Sequence, residues 1–139
     1  MNDPHNLQRF LDAQASVYTQ VLAELRAGSK RSHWMWFIFP QIAGLGHSET
    51  ARYFAIASCA EAAAYLAHPI LGPRLRECCH LAMLIEGRSA REIFGTPGDM
   101  KFRSSLTLFA AVAADNAVFA TALQKYFAGE PDGLTLARL

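Results

Sequence analysis

Apolar residues in this chain recur at three- and four-residue intervals and almost nowhere alternate with polar ones. Over residues 13–27, Val17, Val21, Leu22 and Leu25 keep that spacing, and Gly28 follows as the left-handed residue that ends a helix. Leu71, Leu75, Cys78, Ala82 and Ile85 form a stripe within 70–86, ahead of Gly87, and predict a central packing helix. Phe102, Leu106, Phe109 and Ala113 make another stripe; Phe119, Leu123 and Phe127 make a fourth that stops before Gly129. Ser58 with Glu61 and Ser89 with Glu92 have capping-box spacing, so each serine predicts a helix start. Thr96-Pro97 reads as an N-cap followed by proline in the first turn, and a shorter helix fits 49–57. Asp3-Pro4 opens a first turn, and Pro131 a short last helix.

The run 34–39, Trp-Met-Trp-Phe-Ile-Phe, has no period of its own and suits either a buried strand or a helical turn stopped by Pro40. The helical turn agrees with the rest of the chain. The prediction is an all-α fold, one compact domain over residues 1–139 built as a non-repeating bundle of about six to eight short helices.

Composition narrows the function classes. The 139 residues are 52% hydrophobic and 18% charged, with nine Phe, which describes a chain that folds around its own core. A formal net charge of +1 leaves no surplus to neutralise many phosphates, so no nucleic-acid partner is expected. The first residues lack a basic start ahead of an apolar core, and no run approaches the ~20 apolar residues that span a bilayer. The expectation is a soluble, cytoplasmic protein without a membrane partner. Three cysteines cannot all pair, and adjacent Cys78 and Cys79 point about 100° apart on a helix, so reduced, mostly buried thiols are expected.

Candidate chemistry centres on residues 30–41. Lys30, Arg31 and His33 stand directly before six large apolar side chains that include both tryptophans. Burying that aromatic surface leaves the basic residues at its rim, an arrangement suited to an anionic small molecule. In this reading Arg31 holds charge, Trp34 or Trp36 stacks on a planar group, Gln41 reads polar edges, and His33 is the candidate acid or base. The bland reading makes the aromatics core and the basic residues solvated.

A second set follows Asp99. Lys101, Ser104 and Ser105 fall on one helical face, opposite Phe102 and Leu106, and could hold phosphate or carboxylate with help from the helix N-terminus. Arg103 adds a further cation; its bland alternative is an ion pair with Asp99. Cys78-Cys79-His80 fans out around a helix and cannot converge on one metal ion. His68 before Pro69 closes a turn, and Gly44-Leu45-Gly46-His47 lacks the pattern of a phosphate loop. No cofactor is implied.

The motifs Asn6-Leu-Gln-Arg-Phe, Lys30-Arg-Ser-His-Trp-Met-Trp-Phe-Ile-Phe-Pro-Gln, His68-Pro-Ile-Leu-Gly-Pro-Arg-Leu and Asp99-Met-Lys-Phe-Arg-Ser-Ser-Leu-Thr-Leu-Phe resemble, in order and over nearly the whole chain, a mostly bacterial family known as domain of unknown function 1810. The resemblance implies a compact all-helical domain and brings no established activity. Members are sometimes labelled calpastatin, after a eukaryotic protease inhibitor that is extended, charged and disordered; this apolar, aromatic chain is its physical opposite.

The leading expectation is a pocket where residues 31–41 meet residues 101–105, taking a nucleotide-like or sugar-phosphate ligand with or without catalysis. A protein-interaction or self-assembly module is the alternative, and a homo-oligomer is compatible with either. An enzyme acting on NAD-derived or ADP-ribose-like groups is a further reading by analogy of fold alone.

Overall fold

The computed structural model describes residues 2–139 and is all-α. In chain order the helices are α1 (Gln8–Ala15), α2 (Tyr18–Ala27), α3 (Met35–Ile38), α4 (Glu49–Tyr53), α5 (Cys59–Ala67), α6 (Leu71–Leu84), α7 (Ala90–Phe94), α8 (Gly98–Val112), α9 (Ala117–Phe127) and α10 (Gly133–Leu136). Ten among the described residues exceeds the six to eight expected. The surplus has two sources: a break at Ser16-Val17 inside the predicted 13–27 helix, and single-turn helices such as α3 and α10.

Local residue chemistry accounts for several helix ends. Gly28 closes α2 at φ 72°, where its N–H reaches the carbonyls of Glu24 and Leu25. Ser89 and Glu92 form a complete capping box at α7. At α5 the hydroxyl of Ser58 accepts from Glu61 N–H as the spacing predicts, but the Glu61 carboxylate turns to Ala57 N–H and to Arg9. Thr96 does not cap α8; the helix begins at Gly98 with Pro97 in the N-cap position and no side-chain bond there. His68 holds α6 instead of merely preceding it, since Nδ1 accepts from the N–H groups of Ile70 and Leu71. At the other end of α6, the Lys125 ammonium and the Tyr126 hydroxyl donate to the last carbonyls, an arrangement no local sequence pattern announces.

The predicted central packing helix, α6, packs on α2, α5 and α9, and α8 is more surrounded still: α3, α5, α7, α9 and α10 all pack on it. Phe102, Leu106 and Phe109 are buried as predicted, and so is every other residue from Ser104 to Leu108. An aromatic cluster joins α8 to the segment around α3. Phe39 meets Phe102 edge-on at 4.9 Å between ring centres, and Phe94 lies 4.6 Å from Phe102. Trp34 completes the cluster against Phe39 and Phe94. These contacts set α3 against the first turns of α8.

Beyond α3 the chain leaves helical geometry at Phe39, as a residue before proline must. It then pairs with the segment after α4: Ile56 N–H donates to Gln41 O, and Ala43 N–H to Ile56 O, each at 2.8 Å. This single parallel bridge, Ile42 with Ile56, closes the 41–56 excursion into a loop that stands beside α8. Among the described residues no helix is long and apolar enough to cross a membrane.

Candidate functional site

Between that loop and α8 lies a cleft of about 390 Å³. Gln41, Leu45, His47 and Ser48 form one wall, Pro97, Met100, Lys101 and Ser104 the other, and Asp132 and Leu134 close one end. A smaller hollow of about 140 Å³ adjoins it, sharing Gln41, Gly46 and Ala51 and adding Trp36, Phe54 and Arg52. Together they run along both flanks of the 41–51 loop.

Trp36 is the member of the 34–39 run that the core leaves partly uncovered. Trp34, Met35, Phe37, Ile38 and Phe39 are all buried, and the one helical turn directs Trp36 outward. The Lys101 ammonium lies over its ring at 4.7 Å from the centre. Burial lowers the Lys101 pKa from its ordinary value, so the charge is partly stripped of water. Lys101 makes no ion pair among the described residues. The carboxylate of Asp132, at the same cleft, is committed to the Thr135 N–H and hydroxyl as the cap of α10. Ser104 donates to Met100 O, which leaves its oxygen able to accept but not its proton free to give.

The two expected segments therefore meet, through Trp36 and Gln41 on one side and Lys101 and Ser104 on the other. Other predicted residues are placed elsewhere. Trp34 is 1% exposed and its indole N–H donates to Glu24, so it offers no free face to a ligand. Arg31 and His33 are exposed on the loop before α3 and line neither hollow. Arg103 turns to the opposite end of the chain, donating to the carbonyls of Glu130 and Pro131 and pairing with the Glu130 carboxylate at 3.5 Å, not with Asp99. Ser105 does not share an open face with Lys101; it is 1% exposed, because α8 is enclosed on nearly all sides there. The first turn of α8 contributes little to anion binding, since Asp99, Met100 and Lys101 N–H groups are already taken by Gly95 O, the Asp99 carboxylate and Pro97 O.

Glu24 explains the position of the 30–34 loop. One carboxylate oxygen accepts from Arg31 N–H, Ser32 N–H and the Trp34 indole, and the other from the Ser32 hydroxyl and Gln20. Burial by itself raises the Glu24 pKa, but these bonds outweigh it, with Ser32 contributing most, and hold it down at about 2. With its backbone pinned, the Arg31 side chain has no need of the interior. Sequence reasoning did not assign Leu45, His47, Ser48, Met100, Asp132 or Leu134 to the cleft; the first four stand near Gln41 or Lys101 along the chain, whereas Asp132 and Leu134 come from the C-terminal segment and had no local signal.

The free cysteines divide by place. Cys78 and Cys79 are buried, and burial pushes the Cys78 thiol up to about 12, while Cys59 is exposed. His80 is exposed, so it does not converge with its two neighbours.

DUF1810, a family of proteins of unknown function, matches residues 4–139. The chain belongs to this family. The crystal structure of a conserved hypothetical protein from Mycobacterium tuberculosis is similar throughout, with 53% identity, a TM-score of 0.98, and coverage of 99% of this chain and 98% of that one. No curated protein matches the chain.

Proposed function

We propose that this protein binds an anionic small molecule, nucleotide-like or a sugar phosphate, in the cleft between the 41–51 loop and α8. The observation that carries the reading is the Lys101 ammonium, half-buried over Trp36 with no carboxylate partner among the described residues, in the wall of a cleft about 390 Å³ in volume. That volume lies within the range of small-molecule sites, roughly 300 to 1,000 Å³. Lys101 supplies charge, Gln41 supplies hydrogen bonds, the Ser104 oxygen accepts from a ligand hydroxyl, and Leu45, Met100 and Leu134 supply apolar contact for the body of the ligand.

The reading differs from its sequence counterpart in its cations. Lys101 is the cation in the cleft wall where Arg31 and Arg103 were expected beside it, and His47, not His33, lines the cleft. A thermal-shift screen against nucleotides, NAD, ADP-ribose, sugar phosphates and simple carboxylates tests it, since a ligand that prefers the native state raises the melting temperature. The expected result is a rise with a phosphorylated compound that Lys101→Ala abolishes. No rise across the panel, or one that Lys101→Ala leaves intact, contradicts the reading.

A further inference from the structure

Two of the most exposed large apolar side chains among the described residues stand at the Lys101 cleft. Met100 on α8 is 61% exposed and Leu134 on α10 is 69% exposed, in a protein that covers Phe39, Phe102 and Phe109 completely. Both line the same cleft as Lys101, with Leu45 and Pro97 beside them. Single apolar residues scattered over a surface need no explanation, but several gathered in one concavity around a cation have the composition of a ligand site.

Leu134 is held at that place by polar groups of α8 and of its own turn. The Thr107 hydroxyl oxygen accepts from Asp132 N–H at 2.9 Å, and Arg103 donates to the carbonyls of Glu130 and Pro131. The Asp132 carboxylate in turn accepts from the N–H and hydroxyl of Thr135, which is fully buried. Arg103, expected at the ligand, thus fastens to α8 the segment that presents Leu134. Holding an apolar side chain in water contributes nothing to stability, whereas covering it does.

The stacking role expected of Trp36 is already taken, because the Lys101 ammonium lies over its ring at 4.7 Å from the centre. A planar ring entering the cleft meets Met100 and Leu134 instead. Methionine suits that contact, since its flexible, polarizable thioether packs favourably against aromatic rings. A sugar ring carries hydroxyls that lose water against these two side chains and gain no partner from them.

We propose that the cleft selects its ligand by an aromatic body, and that a nucleoside monophosphate, with its base covered by Met100 and Leu134 and its phosphate at Lys101, is preferred over a sugar phosphate. This rests on the cleft reading above and decides between the two ligand classes it admits.

AMP is ribose 5-phosphate with one aromatic base added, so comparing the two isolates the base. Each is titrated into the 15N-labelled protein while the amide signals of residues 98–104 and 132–136 are followed. AMP is expected to bind at least about tenfold more tightly, a difference of about 1.4 kcal/mol. Met100→Ser and Leu134→Ser are each expected to weaken AMP by about threefold or more and to leave ribose 5-phosphate unchanged, as loss of apolar cover implies. Lys101→Ala is expected to weaken both compounds. If the two compounds bind equally, or both serine variants keep the full preference for AMP, aromatic selection is wrong and the Lys101 cleft survives. If neither compound moves those signals, the selection and the cleft reading both fall. Both serine substitutions are at exposed positions, and the spectra show that each variant is folded.

Discussion

The indole N–H of Trp34 donates to Oε1 of Glu24 across 2.9 Å, linking α2 to the segment that carries both tryptophans. The same carboxylate fixes the backbone of Arg31 and Ser32, so one side chain determines where the loop before α3 runs. Glu24→Ala leaves the indole and two backbone N–H groups without their acceptor. The expected cost is about 3 kcal/mol or more in urea unfolding, because buried donors lose their partner and gain no water.

Acid sensitivity follows from the same group. Glu24 is held at about 2 in the folded protein against an ordinary 4.5, so the unfolded chain takes up its proton first as pH falls. The stability it contributes is complete above about pH 4.5 and is lost progressively as pH falls towards 2. Unfolding free energies measured from pH 6 to about 2 are expected to show a flatter acid limb in Glu24→Gln than in the native protein. Equal slopes would mean that other carboxylates dominate.

Arg9 is the most fully engaged cation in the structure. Its guanidinium donates to the carbonyls of His5, Asn6, Tyr53 and Ala55 and to the buried Glu61 carboxylate at 2.7 Å. Lysine has three donors on a point charge and cannot reproduce that fork. Arg9→Lys is expected to lose roughly 2 to 4 kcal/mol despite keeping the charge, measured as a shift in denaturant midpoint. A loss under about 0.5 kcal/mol would show that charge, not geometry, is what the site requires.

Close approach of α5 and α6 depends on Gly72. A methyl group there would sit 2.1 Å from the carbonyl oxygen of Leu66, a backbone atom that cannot swing aside. Gly72→Ala is expected to destabilise by about 2 to 3 kcal/mol, although alanine is otherwise the better helix former by about 1 kcal/mol. Thermal unfolding of the single variant checks the sign.

Much of the helical framework was legible because its signals are local. Ser89 and Glu92 stand three apart and face each other wherever a helix begins, and Gly28 follows its apolar stripe directly. The break at Ser16-Val17 carries neither glycine nor proline, so periodicity ran through it. The site was less legible because long-range bonds decide it. Whether Arg31 faced a pocket depended on Glu24 gripping its backbone, and Arg103 was drawn away by carbonyls 27 and 28 residues further on. Lys101 and Gln41 were legible as chemistry, while their meeting required the Phe39–Phe102 contact, which no spacing encodes.

The central claim is that an anionic ligand occupies the Lys101 cleft. Amide chemical-shift mapping, with the phosphorylated compound that most raises the melting temperature, tests it most directly. The account predicts that the largest perturbations fall in residues 41–51 and 97–104 and disappear in Lys101→Ala. Perturbations centred elsewhere, with those two segments unmoved, would contradict it.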